Sequence, residues 1–201
     1  MQTLFLVSAQ MQSGKDVFGK KLAKEAHGIC VAFANPLKEA AIALLGMPSE
    51  VAYGGEKERR AWKRYGKDAR EWLQWFGVEL VRTTFHPNVL THRLLERIAC
   101  GASSAFVVTD ARMPDELSHA YDDSAWLAGL YEAGLVERVL LEGYRVVTIR
   151  LSRPGHENTD AHPTEAAQLG LPDSFFDEVI VNDGPVRCLD DHARRIAAKY
   201  R

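Results

Sequence analysis

Two hydrophobic periods alternate along the chain. Thr3 to Val7 is a short apolar run that stops at small polar residues, as a buried strand does. After a glycine-lysine turn, Phe18, Leu22 and Ala26 fall at i, i+4 and i+8, the buried stripe of a helix, and Gly28 punctuates its end. Ile29 to Phe33 reads as a second strand, and Pro36 is placed to start a helix over Leu37 to Leu45. A longer helix is predicted from about Asp68 to Thr84, with Leu73, Phe76, Val78, Leu80 and Val81 as its apolar content. Pro87 ends it, and Val89 to Ala99 forms another. Ala105 to Thr109 has the pattern of a central strand, Ser124 to Gly143 that of a helix, and Arg145 to Leu151 that of a strand. Glu178 to Val181 is a last strand and Leu189 to Tyr200 a last helix. Two polar stretches interrupt the series. Gly54 to Arg70 is strongly charged and fits a solvated helix face, while Ser152 to Leu171 is rich in proline and glycine.

Short apolar strands alternating with helices predict an α/β fold, a parallel sheet with helices on both faces. Ligands of such folds bind beyond the carboxyl ends of the strands. Every polar motif described below follows a predicted strand, so one site at that edge can hold them all.

Composition adds bounds. A chain of 201 residues suits one domain with a small mobile subdomain. A net charge of −2 argues against a dedicated duplex-DNA binder, which is usually basic. Cys30, Cys100 and Cys188 form no CxxC pair, so neither a zinc ribbon nor a disulfide framework is expected. Cys30 and Cys100 stand among apolar residues and read as core filler in a reduced, intracellular protein. Met1 to Ser8 lacks the basic flank of a signal peptide, and no apolar run is long enough to span a bilayer. A cytoplasmic protein without a membrane partner is the expectation.

The strongest chemical signal is Ala9-Gln-Met-Gln-Ser-Gly14-Lys15-Asp16, between the first strand and the first helix. This is the context of a P-loop, whose backbone N–H groups wrap phosphate oxygens at a helix N-terminus. Gln12, Ser13, Gly14, Lys15, Asp16 and Val17 are the expected nucleotide contacts, with Lys15 reaching the β- and γ-phosphates. Ala9 replaces the usual first glycine, and Asp16 replaces the Ser or Thr that touches Mg²⁺. A carboxylate is itself a good Mg²⁺ ligand; without the ion it would repel a triphosphate, so Asp16 points to metal dependence. A plain glycine turn with a capping Asp is the bland alternative.

Three further motifs follow later strands. Thr109-Asp110-Ala-Arg112-Met-Pro114-Asp115-Glu116 places Asp110 at a strand end, where it can hold Mg²⁺ or meet an acceptor, and Arg112 where it can grip a phosphate. A structural Asp110–Arg112 ion pair is the competing reading. Arg150 and Arg153 precede the polar stretch containing Asp160-Ala-His162-Pro-Thr164-Glu165, and arginines on a mobile flap exclude water and stabilise transferring charge. No second His or Cys stands at ligand spacing from His162, so helix capping by Thr164 or a loop-fixing hydrogen bond from His162 is favoured over a metal site. Asn182-Asp183-Gly184-Pro185 is a turn that, in a nucleotide-binding sheet, can line the base through Asn182 and Gly184.

These motifs, in this order, resemble the phage-type deoxynucleoside monophosphate kinase family. The resemblance rests on Gly14-Lys15-Asp16, on Phe33-Ala-Asn35-Pro36-Leu37-Lys38, and on Arg70-Glu-Trp-Leu73-Gln74-Trp-Phe-Gly77-Val-Glu79 followed by Arg82. It rests also on Thr109 to Glu116, on Asp160 to Glu165 and on the Asn-Asp-Gly turn. It implies a P-loop NTPase fold of the nucleoside monophosphate kinase kind, with a helical acceptor-binding insertion over about 47–100 and a lid over about 152–171. It implies ATP and Mg²⁺, the ion held by Asp16 and Asp110, and a nucleotide acceptor met by Lys38, Arg70, Gln74, Arg82, Asp110 and Arg112. Lys15, Asp16, Asp110, Arg112, Arg150 and Arg153 become the catalytic set, the last two facing the transferring phosphate. A host-cell cytoplasm is the implied location if the source is a phage, and a homodimer is compatible with it. Asn35 stands where the family commonly has Asp, His86 to Leu90 replaces an expected Asp- and Trp-containing segment, and Leu117 to Gly143 is long. Three rival readings keep the donor site or the loop and change the rest. The first is a kinase of 5-hydroxymethyluracil within DNA, with Trp62, Arg64, Tyr65, Trp72 and Trp75 stacking bases and holding phosphates. The others are a dephospho-coenzyme A kinase and a non-enzymatic nucleotide switch or assembly subunit.

Overall fold

β1 (Thr3–Ala9) is buried along its whole length, as a strand must be when helices cover both faces of its sheet. The structure is a computed structural model that describes residues 2–10, 12–85, 89–111, 144–155 and 171–201. β1 leads into α1 (Lys15–Glu25) and then β2 (Ile29–Val31). After an intervening segment come α6 (Val89–Ala99), β5 (Ala105–Val108), β6 (Arg145–Ser152), a 3₁₀ turn at Asp173–Phe175, β7 (Glu178–Val181) and α7 (Cys188–Lys199). The five strands form one parallel sheet in the order β2-β5-β1-β6-β7. The parallel α/β sheet read from the sequence is thus the fold. The predicted bounds of α6 and β7 are met, whereas the second strand stops at Val31, short of Phe33.

Alternation along each strand sorts side chains to two faces. Phe5, Val7, Ala9, Val147, Ile149, Leu151 and Ile180 join Phe18 and Leu22 of α1 and Leu189, Ala193 and Ile196 of α7 in one core. The intervening positions Leu4, Leu6, Phe106 and Val108 are also buried. On their side the Phe106 ring meets Tyr144, whose hydroxyl donates to the Ile98 carbonyl at the end of α6. All five strands run the same way, so the carboxyl ends of β1, β5, β6 and β7 share one edge.

The chain divides into two compact units, 1–32 with 95–201, and 33–94. The second holds α2 (Asn35–Leu45), α3 (Ser49–Ala52), α4 (Glu56–Ala61), the hairpin β3 (Lys63–Arg64) and β4 (Lys67–Asp68), and α5 (Ala69–Trp75). Asp68 caps α5 in a reciprocal capping box with Glu71. The charged stretch expected to be one solvated helix face is therefore a short helix followed by a hairpin, whose turn places Tyr65 and Gly66 at φ 50° and 79°. Beyond Trp75 the helix expected to run on to Thr84 is wound with i→i+5 bonds from Phe76 to Phe85. The Thr83 and Thr84 hydroxyls donate to the Val78 and Glu79 carbonyls five residues back. These bonds, with the β-branched Val78, Val81, Thr83 and Thr84, favour the wider winding over a regular α-helix.

Two cysteines correct the sequence reading. Cys30 and Cys100 are exposed, not core filler. Cys30 lies on β2 at the sheet edge, where Ile29 is exposed as well. Cys100 follows the last turn of α6, donating its N–H to the Glu96 carbonyl. Apolar neighbours in sequence do not distinguish an edge from a centre. No helix among the described residues is long and apolar enough to cross a membrane.

α7 is tied to β7 through a buried acid. Glu178, 7% exposed, accepts from Lys199 Nζ at 2.7 Å, Arg195 Nη1 at 2.9 Å and the Tyr200 hydroxyl at 3.2 Å. Burial pushes the Glu178 carboxyl up, but the three donors outweigh it and its pKa lies below the ordinary 4.5. A carboxylate lowered in this way stabilises the fold above its unfolded pKa, and the contribution is lost as pH falls through the folded value. Thermal unfolding followed from pH 7 downward should therefore show a loss below the ordinary glutamate range, which Glu178→Gln removes. At neutral pH that substitution should cost about 1 kcal/mol, below the usual range for charged hydrogen bonds, because both cationic partners are half exposed. An unchanged acid profile in Glu178→Gln would mean that other carboxylates set it.

Candidate phosphate-binding site

Ser13 and Gly14 form the turn between β1 and α1. Gly14 is the N-cap of α1, with φ 94° and ψ 11°, a left-handed conformation that glycine adopts without steric cost. Gln12 also takes a positive φ of 64°, a less common choice outside glycine and one that concentrates at functional loops. Ser13 is buried; its hydroxyl donates to the Gln10 carbonyl at 2.7 Å and its N–H to the same oxygen at 3.4 Å. The turn is thus closed on itself by its own polar groups.

Lys15 and Asp16 open the first turn of α1, Lys15 half-buried, Asp16 and Val17 exposed. No side chain caps this helix. The first N–H groups of a helix have no partner within it, and the axial dipole favours an anion there. Together the turn and the helix start offer donors and a lysine to a phosphate.

β5 lies beside β1, with Val108 level with Leu6. Asp110, half-buried, stands two residues beyond that pair, at the same sheet edge as the turn. The contact that holds it near is a glycine: a Cβ built on Gly19 would lie 2.2 Å from Cγ2 of Thr109. α1 therefore packs directly on the end of β5, one turn past Lys15. No motif in the sequence singles out Gly19. A glycine inside a helical pattern was the available signal, since it costs about 1 kcal/mol against alanine and asks for a packing reason.

β7 supplies the third side. Asn182, buried, donates from Nδ2 to the Ser13 carbonyl at 2.9 Å. A Cβ on Gly14 would come within 2.9 Å of that same nitrogen. Gly184 packs over Cys188, whose Sγ would lie 2.8 Å from a Cβ there. The Asn-Asp-Gly turn, expected to line a base, thus places its asparagine against the backbone of the Ser13-Gly14 turn.

Arg150, on β6 level with Ser8, donates to the Asp173 carboxylate and the Leu171 carbonyl at 2.6 Å each, and lies over the Phe176 ring at 4.4 Å. Beside it Thr148 gives its N–H and hydroxyl to Asp177. These bonds anchor 171–177 to the sheet. Arg153, just past β6, is exposed. In the second unit, Lys38 on α2 lies 4.9 Å from the centre of the Tyr53 ring. Arg70 and Gln74 on α5 and Arg82 on the i→i+5 segment are each half-buried. Arg112, most of the lid and its Asp160, His162, Thr164 and Glu165 lie outside the described residues, as does the helix read over 124–143. Among the described residues no group of three or more His, Cys, Asp or Glu stands together for a metal.

No family model matches the chain. A protein of Acanthamoeba polyphaga mimivirus named as a deoxynucleotide monophosphate kinase is 26% identical over 186 residues, spanning 85% of this chain and 83% of that one. Among solved structures, an unliganded sugar kinase from a Janibacter species aligns with 100% of this chain and 95% of its own. Its TM-score of 0.37 and 14% identity are too low to bear on fold or activity.

Proposed function

We propose that this chain is a P-loop kinase that moves the γ-phosphoryl group of ATP, with Mg²⁺, onto a deoxynucleoside 5′-monophosphate. The observation that carries the reading is the Gly14-Lys15 turn. It caps an otherwise uncapped helix at the carboxyl edge of the sheet, with the Asp110 end of β5 packed alongside. The mimivirus relative, named for the same activity, supports it from sequence.

Phosphoryl transfer asks little covalent chemistry of a protein and much positioning and charge. Lys15 and the first N–H groups of α1 hold the β- and γ-phosphates. Asp16 and Asp110 are the carboxylates available to Mg²⁺. Two such ligands fit an ion that usually takes one or two carboxylates and completes its shell with phosphate oxygens and water. Held there, Mg²⁺ would supply charge neutralisation between the phosphates. Arg153 and Arg112 supply further cations. Arg150 joins them by exchanging Asp173 for a phosphate; with Asp173 67% exposed, the pair it gives up contributes about 0–1 kcal/mol. Lys38, Arg70, Gln74 and Arg82 of the second unit take the acceptor, with Arg82 on its phosphate and Gln74 on the base edge.

A phosphate acceptor arrives ionised and needs no general base, whereas a hydroxyl acceptor benefits from one. The exposed Tyr65, on a hairpin tip beside Lys63, Arg64 and Lys67, is the feature that favours the rival acceptor, 5-hydroxymethyluracil within DNA. Transfer from γ-labelled ATP to each of the four deoxynucleoside monophosphates, and to an oligonucleotide carrying that base, decides between them. Label is expected in a deoxynucleoside diphosphate, with Arg82→Ala raising the KM of the monophosphate and leaving ATP affinity intact. Label in the oligonucleotide alone would overturn the acceptor, and label in none of these acceptors would overturn the nucleotide-kinase reading.

A further inference from the structure

From the geometry at the end of β7 we infer that Asn182 is a positioning residue for phosphate binding: it sets the direction of the Gly14 N–H and does not read the base. The inference rests on the P-loop reading and extends it to a residue 169 positions away in sequence. A trans peptide is planar, and its C=O and N–H point in opposite directions. The Ser13 carbonyl and the Gly14 N–H belong to one such peptide. Asn182 Nδ2 holds the carbonyl at 2.9 Å from the β7 side. The Gly14 N–H of that peptide is thereby turned away from Asn182, and on the P-loop reading toward the phosphates.

Three observations make this a built contact. Asn182 is 8% exposed, so its amide has little access to water. Gly14 must lack a side chain for the amide to approach, because a Cβ would stand 2.9 Å from Nδ2 and 3.4 Å from Leu189 Cδ1. Ser13 is itself fixed by its hydroxyl and N–H bonds to the Gln10 carbonyl, so the residue that leads into the peptide is anchored. Without Asn182 the Ser13 carbonyl would be a buried acceptor lacking its donor, and rotating the peptide to find another would swing the Gly14 N–H out of the cradle. A donor fixed in advance spares the ligand the cost of ordering the loop.

The test separates backbone positioning from base contact by using a ligand that has no base. Equilibrium binding of inorganic tripolyphosphate and of ATP, each with Mg²⁺, is measured for the wild-type protein, Asn182→Ala and Asn182→Asp. Asn182→Asp keeps the shape and replaces the donor with an acceptor, so it serves if Asn182→Ala folds poorly; thermal unfolding checks both. The expected result is that both variants weaken tripolyphosphate and ATP by the same factor, about tenfold or more. Loss for ATP with unchanged tripolyphosphate binding would overturn the inference and make Asn182 a base contact. Unchanged binding of both ligands by folded variants would overturn it outright. Wild-type protein that binds neither ligand would instead overturn the P-loop reading, and this inference with it.

Discussion

Lys15→Ala is expected to lower kcat by at least about a hundredfold, the usual effect of losing a preorganised charge at a site of developing charge. Lys15 opens α1 immediately after the left-handed Gly14, so its backbone is fixed by the turn and its ammonium is the cation of the loop. The neighbouring N–H groups remain in the variant and still bind phosphates, which is why ATP affinity should fall less than kcat. The fold should survive, because Lys15 is half-buried and lies outside the apolar core of the sheet. The measurement is steady-state turnover with ATP and the preferred monophosphate, alongside circular dichroism and thermal unfolding. Normal turnover in a folded Lys15→Ala protein would sink the phosphate-loop assignment.

The second large effect concerns the helix that carries this lysine. Gly19→Leu should destabilise the protein by about 3 kcal/mol or more, the upper range for overpacking a close contact. With about 2–4 °C of Tm per kcal/mol for a chain of this size, the change is easily measured. Gly19→Ala is the sharper probe, since two effects oppose each other. Alanine gains about 1 kcal/mol over glycine within a helix, but its Cβ would lie 2.2 Å from Thr109 Cγ2. Overpacking costs about 1–3 kcal/mol, so the clash is expected to win. Thr109→Ser removes Cγ2 and leaves Cβ and Val107 Cγ1 at 3.6 Å, ordinary contact distances. In that background Gly19→Ala should therefore turn from destabilising to neutral or stabilising. A double-mutant cycle with no coupling would mean that α1 does not bear on Thr109 as described. Because the same contact holds the Asp110 strand end beside the loop, Gly19→Ala alone should also lower phosphate affinity.

The local elements were legible in the sequence because their causes are local. An apolar run of strand length, a glycine-lysine turn and a stripe at i, i+4 and i+8 place β1, the loop and α1 without knowledge of any distant residue. The same holds for α6 and β7, whose residues match their predicted bounds. Gly14 and Lys15 could be proposed as a phosphate site from spacing alone because the turn is a single continuous segment. The helix expected to run to Thr84 is present, but its i→i+5 winding past Trp75 was not legible: hydroxyls and β-branched residues from Val78 to Thr84 compete with the α-helical bond pattern, and hydrophobic periodicity does not report that competition.

Other features depend on which strands become neighbours, and only the tertiary structure decided those. The order β2-β5-β1-β6-β7 places Cys30 at an edge and Asp110 beside the loop. It packs Gly19 on Thr109, 90 residues away by their numbers, and makes a helix-weakening residue necessary there. It sets Asn182 against Ser13 across 169 residues and ties Arg150 to Asp173 across 23. Periodicity specifies which face of a strand or helix is buried, but not its neighbour, because the apolar contacts that bring elements together are non-directional. Partner choice comes from shape and hydrogen bonds made after the chain has closed on itself, and the asparagine amide finds the loop carbonyl only then.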